Sequence, residues 1–138
     1  MPAEVFVDTS ILFYALTQGA DERHVLARAK VATLWDKPGI AAVSVQVLQE
    51  LHVNLVRKAG LTAAESVERV SPYFAWPVVD NDRVLLERAF ELQVRSRLSF
   101  WDAAIVAAAQ RAGARELWSE DLHAGQAFKQ VKVTNPLV

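Results

Sequence analysis

An α/β fold, with a mostly parallel central sheet covered by helices on both faces, is what this sequence predicts. Three observations point to it. Short β-prone apolar runs alternate with longer segments of helical periodicity. The run Val5-Phe6-Val7 is continuously apolar, as strands buried on both faces are. The glycines at 19, 39, 60, 113 and 125 fall at intervals and read as punctuation between elements.

Val5-Phe6-Val7 is the first strand. Helices are expected over 10–18 and 21–35, then a second strand over 40–43. Residues 44–59 form a third helix, because Val47, Leu48, Leu51 and Leu55 recur at helical spacing and Gly60 supplies a stop. Thr62 and Glu65 make a capping box for a fourth helix, which Pro72 ends or closely follows. A short strand over 77–80 leads to a long helix over 81–97. Ser99 caps the last helix, 100–112, and Gly113 stops it. Glu116-Leu117-Trp118 and Val131-Lys132-Val133 are the closing strands.

The 138 residues make one domain, 1–138, long enough to bury about two-thirds of the surface its unfolded form exposes. At 52% hydrophobic and 22% charged, the chain is too apolar for a disordered protein. It has no cysteine, which rules out disulfides, thiolate zinc sites and cysteine nucleophiles together. Glu4 and Asp8 interrupt the start of the chain, so no apolar signal core is expected there. The longest apolar run, residues 103–109, is far short of the roughly 20 residues that span a bilayer. The expected compartment is the cytosol. A net charge of −1 offers no global attraction to nucleic acid.

Four acids stand where folding alone would not have chosen them. Asp8 directly follows the first strand, and carboxyl ends of parallel strands are where ligand sites collect. A helix cap is the alternative role. Glu50 lies about 60° to one side of its helix's apolar stripe, in a strip with Gln46, Asn54 and Arg57. Asp102 opens a helix whose next seven residues are all apolar, so it is either a capping acid beside Ser99 or a ligand. Asp121 repeats the Asp8 arrangement after Trp118, with Glu120 as its competitor. Gathered in one cleft, four carboxylates would protonate or recruit cations, and all-oxygen ligation selects Mg²⁺ or Mn²⁺. Such ions suit phosphodiester hydrolysis.

The segments Val7-Asp8-Thr9-Ser10, Gln49-Glu50-Leu51, Leu98-Ser99-Phe100-Trp101-Asp102-Ala103 and Ser119-Glu120-Asp121-Leu122 occur in the order seen in a known family. The chain resembles the PIN-domain nucleases, in particular the VapC-like toxins of bacterial toxin–antitoxin pairs. That resemblance implies a compact α/β/α sandwich and a Mg²⁺- or Mn²⁺-dependent endoribonuclease. It assigns catalytic and metal-binding roles to Asp8, Glu50, Asp102 and Asp121, and supporting roles to Ser10 and Ser119. It also implies a homodimer and a cognate antitoxin. A PIN-like scaffold that binds RNA or a protein and cleaves nothing is the alternative, against which the retention of all four acids speaks.

With the four acids set aside, basic residues outnumber the remaining acids, and Arg95 and Arg97 are the candidates nearest the cleft for holding RNA phosphates. A basic helix end favoured by the dipole is their alternative role. His24, His52 and His123 lack the paired spacing of a zinc site. No Gly-x-Ser-x-Gly elbow, Gly-x-Gly-x-x-Gly turn or Walker motif occurs. Phe13, Tyr14, Trp35 and Trp76 are expected chiefly in the core, with partner contacts as the alternative.

Overall fold

The computed structural model describes residues 2–138. Strand β1 (Val5–Val7) is followed by helices α1 (Thr9–Leu16) and α2 (Glu22–Trp35). Then come β2 (Ala41–Ser44), α3 (Val45–Arg57) and α4 (Ala63–Val70), a single 3₁₀ turn over Ser71–Ala75, and β3 (Val78–Val79). The second half holds α5 (Arg83–Ser96), α6 (Phe100–Arg111), β4 (Glu116–Trp118), β5 (Ala127–Phe128) and β6 (Val131–Thr134).

The sheet order is β3-β2-β1-β4-β6-β5, parallel throughout except for the β5–β6 pair. From β1 the chain steps outward through β2 to β3, then returns across the sheet to place β4 on the other side of β1. Right-handed crossovers put α1–α4 on one face and α5–α6 on the other. The packing agrees: α1, α3 and their neighbours contact one another, as α5 and α6 do. The expected α/β/α sandwich is therefore formed. Its switch point, where the strand order reverses, lies between β1 and β4.

Local chemistry sets most element ends. Asp21, Ser44, Thr62, Asp82 and Ser99 each cap a helix by accepting a backbone N–H, and Thr62 with Glu65 forms the full reciprocal box. Helix α4 ends at Val70 and Pro72 closely follows it, as expected. The proline sits in the first turn of the 3₁₀ segment, where its missing N–H is no loss. The short β5 strand was not foreseen, because Ala127 and Phe128 are too few to show any periodicity.

Helix α6 is the central support. Residues 103–109 are all buried, against the sheet on one side and α5 on the other. A helix buried all round needs small side chains wherever its neighbours press close, and five of those seven residues are alanine. Trp76 and Tyr73 are buried in an aromatic cluster with half-exposed Trp35, ring centroids 4.8 to 5.1 Å apart. Among the described residues no helix is long and apolar enough to cross a membrane.

Because Ala107 is 2% exposed and lies on a helix packed between the sheet and α5, enlarging it should disturb both layers. Ala107→Leu is expected to destabilise the fold by about 1–3 kcal/mol. Urea denaturation followed by far-UV circular dichroism measures it; a stability unchanged within error would contradict the close packing described.

Candidate active site

Asp8 leaves the carboxyl end of β1 and caps α1, so the two roles considered for it are not exclusive. Its Oδ1 accepts the Thr9 N–H at 2.7 Å, and its Oδ2 accepts the Ser119 hydroxyl at 2.9 Å. The side chain is 5% exposed, and burial pushes its pKa from 3.8 up to about 7. The charges of Asp121 and Glu50 push the same way, while the two hydrogen bonds pull down.

Ser119 does a second job. Its oxygen also accepts the backbone N–H groups of Asp121 and Leu122, at 3.2 and 3.3 Å. The hydroxyl thereby ties the end of β1 to the turn after β4 that carries Asp121. Partial burial, followed by the charges of Glu120, Asp102 and Glu50, raises the pKa of Asp121, and Lys58 opposes that rise.

Glu50 projects from α3 toward α1, where Thr9 Oγ1 donates to its Oε1 at 2.7 Å. Gln46, one turn earlier, donates to the Trp101 carbonyl at 3.3 Å. That bond fastens α3, on one face of the sheet, to the start of α6 on the other. It brings Asp102 opposite Glu50. The Asp102 N–H is capped by Ser99 Oγ at 3.1 Å, but the Asp102 carboxylate does not bond back. Only half of the anticipated capping box forms, which leaves that carboxylate for the cleft.

All four acids line one open cavity of about 700 Å³ over the switch point of the sheet. The strip foreseen on α3 is present with one replacement. Gln46, Glu50 and Asn54 line the cavity, Arg57 does not, and Lys58 does. The missed signal was the four-residue spacing 46, 50, 54, 58, which keeps one helical ridge. Phe13 and Tyr14 belong to the wall of this cleft rather than to the core proper.

Ser10 departs from expectation. Its hydroxyl makes no bond to Asp8; it is the one buried side-chain polar atom among the described residues without a partner. Thr9 and Ser119 hold Asp8 instead, because the N-cap geometry offers Asp8 its neighbour's N–H and the β4 turn offers a hydroxyl. Glu120 also reaches the cavity, yet it is engaged elsewhere: Arg23 lies 3.6 Å from it, and, after burial, its proximity helps raise the pKa of Tyr14. Arg23 in turn stacks over Tyr14 at 5.0 Å. Arg97 and His123 line an adjoining cavity that shares Asp102 and Asp121, whereas Arg95 lines neither. His24 pairs with Asp21, and His52 with Ser66.

Asp8, Glu50, Asp102 and Asp121 could hold a divalent cation. Among the described residues no three acids stand close enough to enclose an ion by themselves. A cation that keeps several of its waters and takes few carboxylates, as Mg²⁺ does, suits such an open all-oxygen set. The unpartnered Ser10 hydroxyl and the burial of Asp8 fit the same occupant.

The family model for the PIN domain matches residues 5–132. The chain belongs to the PIN-domain family. Within it the chain is VapC-like: it is 30% identical to a Mycobacterium tuberculosis VapC20, described as a sarcin–ricin loop cleaving toxin. That match covers 86% of this chain and 92% of the relative, with a TM-score of 0.68. A toxin–antitoxin complex from Klebsiella pneumoniae shares the fold at 21% identity and a TM-score of 0.68, covering 97% and 98% of the two chains. FitAB bound to an IR36 DNA fragment does so at 16% identity and a TM-score of 0.70, covering 97% and 96%. Comparison with curated proteins finds no match.

The Asp8 shift carries a sign. Below about pH 4 its carboxyl is protonated in both folded and unfolded chains and contributes nothing to stability. Between there and pH 7 only the unfolded chain has released the proton, so folding becomes less favourable as pH rises. Above pH 7 the full penalty remains. In EDTA, Asp8→Asn is therefore expected to melt higher than the native chain at pH 8 and to lose that advantage by pH 4. Thermal melts of both proteins across this range test it; a constant difference would contradict the buried carboxyl.

Proposed function

We propose that this PIN-domain chain is a Mg²⁺- or Mn²⁺-dependent endoribonuclease and the toxin of a toxin–antitoxin pair. The convergence of Asp8, Glu50, Asp102 and Asp121 on one cleft is the observation that carries the proposal. Family membership, and identity to a toxin described as cleaving the sarcin–ricin loop, support RNA as the substrate.

In this proposal a cation that keeps several of its waters would sit among the four acids, beside the Ser10 hydroxyl. Bound there, it would supply neutralising charge for a phosphate and a water of lowered pKa. The chain's own part is orientation. Ser119 and the Thr9 N–H each occupy one oxygen of Asp8, and every carboxylate oxygen keeps a further lone pair for the cleft. Thr9 fixes Glu50 likewise, so one residue aims two acids through its backbone and its hydroxyl. Such pre-set ligands need little rearrangement when the substrate arrives.

The proposal extends to a cognate antitoxin, supported by the toxin character of the VapC20 relative. It extends also to a homodimer, for which Phe90 and Val94, exposed side by side on α5, offer an apolar contact.

The experiment is cleavage of a sarcin–ricin stem-loop and of a mixed-sequence single-stranded RNA, with Mg²⁺ or Mn²⁺ and with EDTA. Cleavage is expected with metal and not with EDTA. Asp8→Asn and Asp102→Asn, purified identically, should lower the rate at least about a hundredfold, the scale of losing one group that stabilises transition-state charge. Equal cleavage by native and Asp8→Asn proteins would overturn the assignment of the site. No cleavage of either RNA would favour the silent scaffold.

A further inference from the structure

Two further cavities adjoin the acidic one. On one side a cavity of about 510 Å³ shares Phe13 and Lys58 with it and runs on to Arg69. On the other side a cavity of about 490 Å³ shares Asp102 and Asp121 and holds Arg97 and His123. The three form one groove with acids in the middle and a cation on each flank. Among the described residues neither Lys58 nor Arg97 makes an ion pair or side-chain hydrogen bond, and both are exposed.

Trp101 stands on the wall of the middle section and is 61% exposed. The Phe100 ring meets it at 5.0 Å and 74°, an edge contact that braces the indole without covering it. An exposed tryptophan beside a row of carboxylates gains nothing for folding. It offers what an unstacked base needs.

We propose that a single strand of RNA lies along this groove, with Lys58 and Arg97 each holding a phosphate on opposite sides of the cleaved bond and Trp101 stacking a base. The inference rests on the ribonuclease reading and deepens it. A duplex is disfavoured because its bases are already stacked and offer no free face to Trp101. Because Lys58 and Arg97 are ion-paired to none of these carboxylates, their charge stays available to the strand.

The test is binding of a labelled mixed-sequence single-stranded RNA to Asp8→Asn protein in Mg²⁺, followed by anisotropy across a KCl series. Lys58→Ala and Arg97→Gln, made in that background, should each lower the slope of log affinity against log salt by about 0.7. Arg95→Gln lies outside the groove and should leave the slope unchanged. Trp101→Ala should weaken binding about 5- to 150-fold with the slope intact, and Trp101→Phe should restore most of the loss. These variants are at exposed positions, and melting temperatures like that of the parent confirm folding. RNA binding that none of the three variants alters would overturn the groove while leaving the ribonuclease reading in place. Failure of the Asp8→Asn parent itself to bind RNA would overturn the groove, while cleavage by the native protein decides the ribonuclease reading. A Trp101→Ala protein that changes oligomeric state on size exclusion but binds RNA normally would assign that ring to a protein interface and overturn its role here.

Discussion

The bond from Ser119 to Asp8 is the interaction on which the rest of the site depends. A carboxylate this deeply buried is costly wherever it lies, and two well-made hydrogen bonds recover only part of that cost. The same hydroxyl gathers the N–H groups of Asp121 and Leu122, so one side chain joins the two strand ends that border the switch point. Parallel order requires this meeting of β1 and β4, and the reversal of strand order leaves a crevice above it. The cleft follows from topology, and its chemistry from what stands at the strand ends.

The helices complete the site from opposite faces. Glu50 comes from α3 on one side of the sheet and Asp102 from the start of α6 on the other. They can face each other only because α6 packs close, which its alanines allow, and because Gln46 fastens its first turn. A bulkier α6 would stand off from the sheet and take Asp102 with it. Core packing and active-site geometry are thus the same constraint at this helix, which explains why its composition is so unlike that of α5.

Much of this was legible in the sequence, for reasons that are local. Caps, glycine stops and continuous apolar runs each report on a few neighbouring residues, and these gave the order and type of nearly every element. The four acids were visible because each broke a pattern: two followed buried strands, one left an apolar stripe, one opened an all-apolar helix. What escaped was information that exists only across the fold. Ser10 and Ser119 look equivalent as small hydroxyls near acids, but only three-dimensional placement gives the Ser119 hydroxyl three partners and that of Ser10 none. Arg95 and Arg97 are likewise alike in sequence. Arg97 takes a left-handed backbone at φ 56 as α5 ends, which turns it from the helix surface to the groove that Arg95 does not line.

Charge distribution resolves the near-neutral composition. A uniformly basic surface would draw RNA anywhere, with no preference for the cleft. Here the acids are concentrated in the middle of one groove and the unpaired cations stand at its flanks, so the field along the proposed path of the strand differs sharply from the molecule's average. A phosphate approaching the metal-free centre would meet repulsion from four carboxylates at close range. The same phosphate approaching a metal-filled centre would meet attraction there and at both sides. On the proposed reading, binding of substrate and binding of cation would be coupled through that arrangement, because each would lower the electrostatic cost of the other. On the same reading the burial that raises the pKa of Asp8 would act in the same direction, since a cation beside that carboxylate would offset the cost of its buried charge.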